Sequence, residues 1–173
     1  VNLTRQRKST LSCFLSETKA RLSRVGTSKD RIVFVMYVFF NPHSYSHLLH
    51  IRTNHRGNQA ADADSVVSAL ILSYVKSLND RKSLYVPLVS ASRDIFVNTH
   101  PLEPFLLRPA VEVKELIFLE DVIDMMKDLN NDKKMEIVLT DHNKLAPGLH
   151  ETFGDAVVEI YDHHADQNCY EGV

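Results

Sequence analysis

Residues 135–143 have the sequence MEIVLTDHN, a short apolar run that ends in an acid, a histidine and an amide. Residues 156–164, AVVEIYDHH, repeat this arrangement with an acid and two histidines at the end. Short apolar runs of this kind are typical of strands that are covered on both faces of a parallel sheet. Because ligands of open α/β sheets bind beyond the carboxyl ends of the strands, both segments predict strands that end at a functional site.

The rest of the chain alternates between strand-like and helix-like patterns. Further strands are predicted at residues 31–36, 85–89 and 116–119, and helices at residues 11–25, 66–78 and 121–129. Pro87 favours an edge position or an irregular strand, because proline cannot donate a ladder hydrogen bond. The alternation predicts an α/β domain with a mainly parallel sheet flanked by helices over residues 31–173, preceded by a helix and linker over residues 1–30.

Composition limits the function classes. The 173 residues suffice for one domain, and 44% hydrophobic with 24% charged residues is an ordinary globular composition. The net charge of −2 provides no field that would recruit nucleic acid or an anionic membrane. No run reaches the roughly 18 apolar residues of a membrane span. With only two cysteines, Cys13 and Cys169, a disulfide framework is not expected, a reducing compartment is favoured, and we expect a cytoplasmic protein.

Residues 57–65, GNQAADADS, form a third polar cluster directly before the predicted helix at residues 66–78. Asp64 or Ser65 is a good helix N-cap, but capping explains only one of the aspartates Asp62 and Asp64. Carboxylates and imidazoles are ligands for Mn²⁺, Mg²⁺ or Co²⁺, and two such ions can clamp a phosphoryl group. The three clusters together therefore predict a metal site for phosphoryl chemistry, and no glycine-rich nucleotide loop accompanies them.

Taken in order, the three clusters resemble the motifs of a known superfamily. GNQAADADSVVSAL resembles the first motif of the DHH phosphoesterases, TDHN resembles the second, and YDHH is similar to the motif that gives the superfamily its name. The first motif is most similar to that of the exopolyphosphatase/prune branch. The resemblance covers residues 31–173 apart from one inserted stretch, and it implies the fold of an incomplete DHH domain.

The resemblance also implies a site with two metal ions, Mn²⁺ or Mg²⁺. By position, Asp62 and Asp141 would hold one ion, and Asn58 stands where the family's pyrophosphatases carry histidine. Asp64, Asp141 and His163 would hold the second ion, so that Asp141 bridges the two.

Three further side chains receive roles from the same resemblance. His164 would face the substrate phosphate or support the metal ligands, which makes it the fifth catalytic candidate. Asp162 would orient the site from behind the ligands. His142 is a candidate for contact with phosphate or for a supporting position.

The implied function is a metal-dependent phosphohydrolase that cleaves phosphoanhydride bonds and is most like an exopolyphosphatase. The substrate would be polyphosphate or another small phosphoanhydride or phosphodiester. Cyclic-nucleotide phosphodiesterase and pyrophosphatase activities are alternatives within the family. A non-catalytic, prune-like module with protein partners and an inactive fragment are alternatives from other classes.

Two departures from the family pattern bear on activity. The family carries a further aspartate ligand in a fourth motif and a carboxyl-terminal domain that closes over the substrate, and both would lie beyond Val173. The resemblance therefore implies that the chain by itself has weak activity or none.

Residues 37–56, YVFFNPHSYSHLLHIRTNHR, interrupt the resemblance between the first strand and the first motif. Their possible codons contain splice-donor and splice-acceptor sequences, and removing the intervening bases would join RIVFVM to GNQAADAD in frame. We therefore interpret the stretch as an insertion and favour a retained intron as its origin. Alternatives are a family-specific loop and a metal-binding helical face formed by His43, His47 and His50.

Overall fold

The computed structural model describes residues 9–26, 31–37, 63–99 and 110–173. For Tyr37, Ala63, Asp64, Ile95 and Thr99 it describes the backbone alone. Asn58, Asp62 and residues 38–56 of the predicted insertion lie outside the described residues. The insertion therefore stays a prediction.

Four strands of the described residues form one parallel sheet in the order β2-β1-β3-β4. The strands are β1 (Arg31–Tyr37), β2 (Ser83–Val89), β3 (Met135–Thr140) and β4 (Val157–Tyr161). Val35 lies in register with Pro87 on one side and with Val138 on the other. This arrangement confirms the predicted α/β fold with a parallel sheet. It also confirms the edge position of the strand that carries Pro87, because β2 ends the sheet.

Five helices accompany the sheet in the described part of the chain. They are α1 (Thr10–Leu22), α2 (Ala63–Asn79), α3 (Arg93–Thr99), α4 (Leu119–Asn131) and α5 (Pro147–Phe153). Single 3-10 turns occur at Val113–Glu115 and Gly154–Ala156. The three predicted helices correspond to α1, α2 and α4. In the described ranges, no helix is both long and apolar enough to cross a membrane.

The two faces of the sheet are covered by different helices, because successive strand residues point to opposite sides. On one face, Phe34, Ile137 and Leu139 are fully buried and pack in one cluster with Met126 of α4 and Phe153 of α5. Each such side chain contributes about 1.5–3 kcal/mol of transfer free energy when it is buried. This large cluster is the main core of the protein.

On the opposite face, Val33, Val35 and Val138 pack against Ala69 of α2. The small side chain of Ala69, which is only 3% exposed, allows α2 to approach the sheet closely. The close approach holds the amino-terminal turn of α2 near the carboxyl ends of β1 and β3. The fold thereby places the helix that follows the first motif beside the second motif.

The strand predicted at residues 116–119 is wrong. Val89 donates a backbone hydrogen bond to the Ile117 carbonyl at 2.9 Å, and Val89 and Phe118 form a single isolated bridge. The chain then turns into α4, where the Asp121 carboxylate accepts from the Phe118 amide at 3.0 Å. The segment is buried, and a short apolar run does not distinguish a buried connection from a strand.

Candidate metal centre

Two of the predicted clusters meet at the carboxyl ends of neighbouring strands. Asp141 follows β3 directly, Asp162 follows β4, and the Asp141 amide donates to the Tyr161 carbonyl at 2.8 Å. Parallel pairing places both strand ends at the same edge of the sheet. As a result, Asp141, Asp162, His163 and His164 each offer one ligand atom, and these atoms all lie within 4.8 Å of one another.

Asp141 adopts an unusual backbone conformation at the centre of this group. Its φ of 55° lies in the left-handed region, which aspartate tolerates better than most residues. Its side chain is 14% exposed, accepts a hydrogen bond from the Ser65 hydroxyl, and has Oδ1 3.3 Å from Nδ1 of His163. The left-handed turn stops the strand and leaves this carboxylate at the sheet edge.

Ser65 connects the first motif to the second. It is buried in the amino-terminal turn of α2, and its hydroxyl donates to Oδ2 of Asp141. Asp64 is the residue before Ser65 in the same turn. The backbone that carries one predicted ligand of the first motif therefore lies beside Asp141. The contact was not predicted from the sequence, where Ser65 was only a candidate helix cap.

Asp162 lies deeper than the other members of the group. Its side chain is 4% exposed, and its two oxygens accept hydrogen bonds from Nδ1 of His164 and Nδ2 of Asn143, both at 2.6 Å. Burial by itself would raise the pKa of Asp162. The hydrogen bonds from the His164 ring and from the backbone amides of His164 and His163 outweigh burial and lower that pKa below its usual value. Asp162 is thus held as an ionised carboxylate.

Three imidazole rings lie together in the group, and those of His163 and His164 are exposed. The rings of His163 and His164 stack with centroids 4.2 Å apart, and His142 approaches His164 edge-on at 6.0 Å. The side chain of His163 is 73% exposed and that of His164 is 53% exposed. Nδ1 of His164 lies 2.6 Å from Oδ1 of Asp162, and this contact orients the ring.

Hydrogen bonds connect the segment after these histidines to the loop after β3. Asn143 donates a second hydrogen bond, at 3.0 Å, to the Ala165 carbonyl. The Tyr170 hydroxyl accepts from the Leu145 amide at 3.1 Å and lies 3.2 Å from Nδ1 of His150. Burial raises the pKa of Tyr170, so the hydroxyl stays protonated and keeps both contacts. The two strand-end loops are therefore held together.

The charges and donor types of the group fit a divalent cation. Within the described residues, neither Asp141 nor Asp162 forms an ion pair with lysine or arginine. Two carboxylates close to each other repel unless a cation or a proton lies between them. Carboxylate oxygens and imidazole nitrogens are suitable ligands for Mn²⁺, and Mg²⁺ accepts the oxygens.

Sequence comparison finds relatives that are named as enzymes of phosphate chemistry. The chain is similar to exopolyphosphatases. It is 30% identical to Exopolyphosphatase PRUNE1 of Rattus norvegicus over 115 residues, which make up 66% of this chain and 25% of the relative. It is 32% identical to the Bos taurus protein and 31% identical to the Homo sapiens protein of the same name, each over 108 residues, 62% of this chain and 23% of the relative.

These comparisons suggest a distant relationship to exopolyphosphatases and hence to hydrolases. The chain spans about a quarter of the length of the curated relatives it matches. No family model matches the chain. The similarity therefore covers one part of each relative, and it does not show that this chain has the activity of the whole relative.

The structure brings part of the predicted site together. Asp141, Asp162, His163, His164 and His142 meet at one edge of the sheet. Asp64 lies nearby in its backbone, while Asn58 and Asp62 fall outside the described residues. Sequence reasoning did not select Ser65 and Asn143, although each belongs to a quoted motif. Both carry side chains that suit hydrogen bonds in turns, which was their only signal.

Proposed function

We propose that this chain is the metal-binding part of a phosphohydrolase that cleaves phosphoanhydride bonds, with polyphosphate as the foremost substrate class. The observation that carries the proposal is the convergence of Asp141, Asp162, His163 and His164 at adjacent strand ends. The similarity to exopolyphosphatases supports the choice of reaction. The activity of the whole protein, its substrate and a cytoplasmic location are part of the proposal.

Asp141 and His163 would bind a Mn²⁺ or Mg²⁺ ion, since Oδ1 of one and Nδ1 of the other are only 3.3 Å apart. Asp62, Asp64 and, more weakly, Asn58 are the further predicted ligands of the two ions. Ions in such a site lower the pKa of a bound water and neutralise charge on the phosphoryl oxygens. We assign Mn²⁺ as the better match, because the donor set mixes imidazole nitrogen with carboxylate oxygen.

The remaining residues would position the substrate. Asp162 accepts a hydrogen bond from Nδ1 of His164 and so orients the ring. Nε2 would donate to a phosphate oxygen in the imidazolium form of the ring, or would support the ligands in the neutral form. His142 lies beside His164 and would extend the same contact surface. A nucleophilic serine or cysteine is not required, because water attacks the phosphorus in this chemistry.

Calorimetric titration of the chain with Mn²⁺ tests the proposal. We expect binding by the wild type, and a loss of affinity of at least about 100-fold in Asp141→Ala, since the central carboxylate is removed. Asp155→Ala is the matched control, because Asp155 is an exposed aspartate outside the site and its loss is expected to leave the affinity unchanged. A wild type that binds no Mn²⁺, or an Asp141→Ala variant that binds equally well, contradicts the proposal.

A further inference from the structure

Asn143 is a buried polar residue between the two strand-end loops. It ends the TDHN segment after β3, and the residue is only 5% exposed. Its Nδ2 donates to Oδ2 of Asp162 at 2.6 Å and to the Ala165 carbonyl at 3.0 Å. Both partners belong to the loop after β4. One amide group therefore connects the loop of the second motif to the loop of the third.

The orientation of this amide is determined by its partners. A carboxylate and a carbonyl only accept hydrogen bonds, so the NH₂ group of Asn143 must face them. The opposite atom, Oδ1, is buried and has no hydrogen-bond partner among the described residues. A buried acceptor without a partner costs about 1–3 kcal/mol. Asn143 thus gives up one favourable contact in order to direct both N–H groups at the second loop.

The hydrogen bonds continue from Asp162 to a histidine. The oxygen that Asn143 does not contact accepts the Nδ1–H of His164 at 2.6 Å and the His164 amide at 3.3 Å. A fixed carboxylate selects the tautomer and the orientation of the imidazole that it contacts. The three residues form one chain of contacts from the buried amide to the exposed ring.

We propose that Asn143 is a positioning residue that acts through Asp162 to hold the His164 ring in the Nδ1–H tautomer and in a fixed orientation. This inference rests on the proposed function, which gives His164 its role at the site. A residue that only connects two loops would stabilise the fold without setting the state of the His164 ring. The two possibilities therefore differ in a property of the ring itself.

Nitrogen NMR of the metal-free chain reads the tautomer of His164 directly. The pH should lie about two units above the ordinary imidazole pKa of about 6.5, so that the ring is neutral. We expect the Nδ1–H tautomer in the wild type and a shift toward Nε2–H in Asn143→Leu. The unfolding midpoint should fall, because leucine leaves Oδ2 of Asp162 and the Ala165 carbonyl without their donor, so the tautomers are compared at a temperature where both chains are folded.

Asn130→Leu is the matched control for this experiment. Asn130 also donates its side-chain amide to a backbone carbonyl, that of Thr152 at 2.8 Å, but it lies at the end of α4 and outside the site. Its loss is expected to leave the tautomer of His164 unchanged. Asn143→Ser, a smaller polar replacement, gives the same test if the leucine variant does not fold.

Metal affinity provides the second readout. Asn143→Leu should weaken Mn²⁺ binding by about 10–100-fold, as is typical for residues that orient metal ligands. In an Asp162→Asn background the same substitution should cause no further loss, because its effect passes through Asp162. An unchanged tautomer in Asn143→Leu, or a full additional loss in the double variant, overturns the inference. If the wild type binds no Mn²⁺, the proposed function fails, and the tautomer alone decides this inference.

Discussion

Carboxylates on the α2 face of the sheet and carboxylates at the strand ends differ in their charged partners. On the α2 face, Glu136 pairs with Arg31, and Glu159 pairs with Lys76 at 2.6 Å. At the strand ends, the only charged partners of Asp141 and Asp162 in the part of the chain that is described are histidine rings. We call the first group the paired face and the second group the strand-end cluster.

The difference separates structural charges from functional ones. On the paired face each negative charge is compensated within the protein, and exposed pairs of this kind contribute only about 0.2–1 kcal/mol to stability. In the strand-end cluster no lysine or arginine of the described ranges compensates the carboxylates, while good ligand atoms are concentrated. A concentration of ligand atoms without fixed cations is what a divalent metal requires. The comparison predicts that the two groups respond differently to metal, to added charge and to pH.

The largest expected effect is stabilisation of the chain by Mn²⁺. A ligand that binds only the folded state at 100 times its dissociation constant raises the free energy of unfolding by about 2.7 kcal/mol. Urea denaturation with Mn²⁺ and with a chelator measures this difference. Glu136→Gln, on the paired face, should retain the full increase. An equal unfolding midpoint in metal and in chelator would remove the distinction between the two groups.

A smaller effect is expected when the strand-end cluster receives a cation of its own. His163→Lys replaces a ligand nitrogen with an ammonium close to Asp141. Asp141 then has a cationic partner, as the carboxylates of the paired face do. We expect Mn²⁺ affinity to fall by about 10–100-fold. The metal-free chain should become more stable by at most about 1 kcal/mol.

The control for this variant adds the same charge outside the cluster. Gln167 is exposed and lies after the histidines, so Gln167→Lys changes the net charge without supplying a partner to Asp141. Calorimetry should show nearly wild-type affinity for Gln167→Lys. Similar losses in both variants would mean that net charge, and not local pairing, determines metal binding.

The fold could be predicted from the sequence where buried runs were bounded by turns. The four observed strands carried short apolar runs, and the helices α1, α2 and α4 carried helical periods. α3 and α5 are only seven residues each and were missed, since two turns give too few positions for a helical period. The buried segment at residues 116–119 was misread because burial on all sides also produces an apolar run.

The site could be predicted in its ligand types and less well in its contacts. Asp141 and Asp162 were found because each follows a strand, and parallel strands end at one edge. The hydrogen bond from Ser65 to Asp141 depends on how closely α2 packs on the sheet, which Ala69 allows. The contact from Asn143 to Asp162 joins loops 19 residues apart in sequence. Such contacts follow from tertiary packing, and local patterns do not encode them.

The smallest expected effect concerns the Lys76–Glu159 pair on the paired face. Burial by itself would raise the pKa of Glu159, but hydrogen bonds from Lys76 and Tyr161 outweigh it and lower that pKa below its usual value. A depressed carboxyl pKa stabilises the fold above the pKa of the unfolded state, and this contribution is lost as the pH falls through the folded pKa. Glu159→Gln should therefore cost about 0.2–1 kcal/mol at neutral pH and nothing at strongly acidic pH.

Urea denaturation of Glu159→Gln and wild type across the acidic range measures this convergence. Glu151→Gln, which removes an exposed glutamate of α5, is the control and should cost little at any pH. Mn²⁺ affinity should be unchanged in Glu159→Gln, because Glu159 belongs to the paired face and its partner Lys76 already compensates its charge. A loss of Mn²⁺ affinity comparable to that of His163→Lys would show that the two groups act as one electrostatic unit.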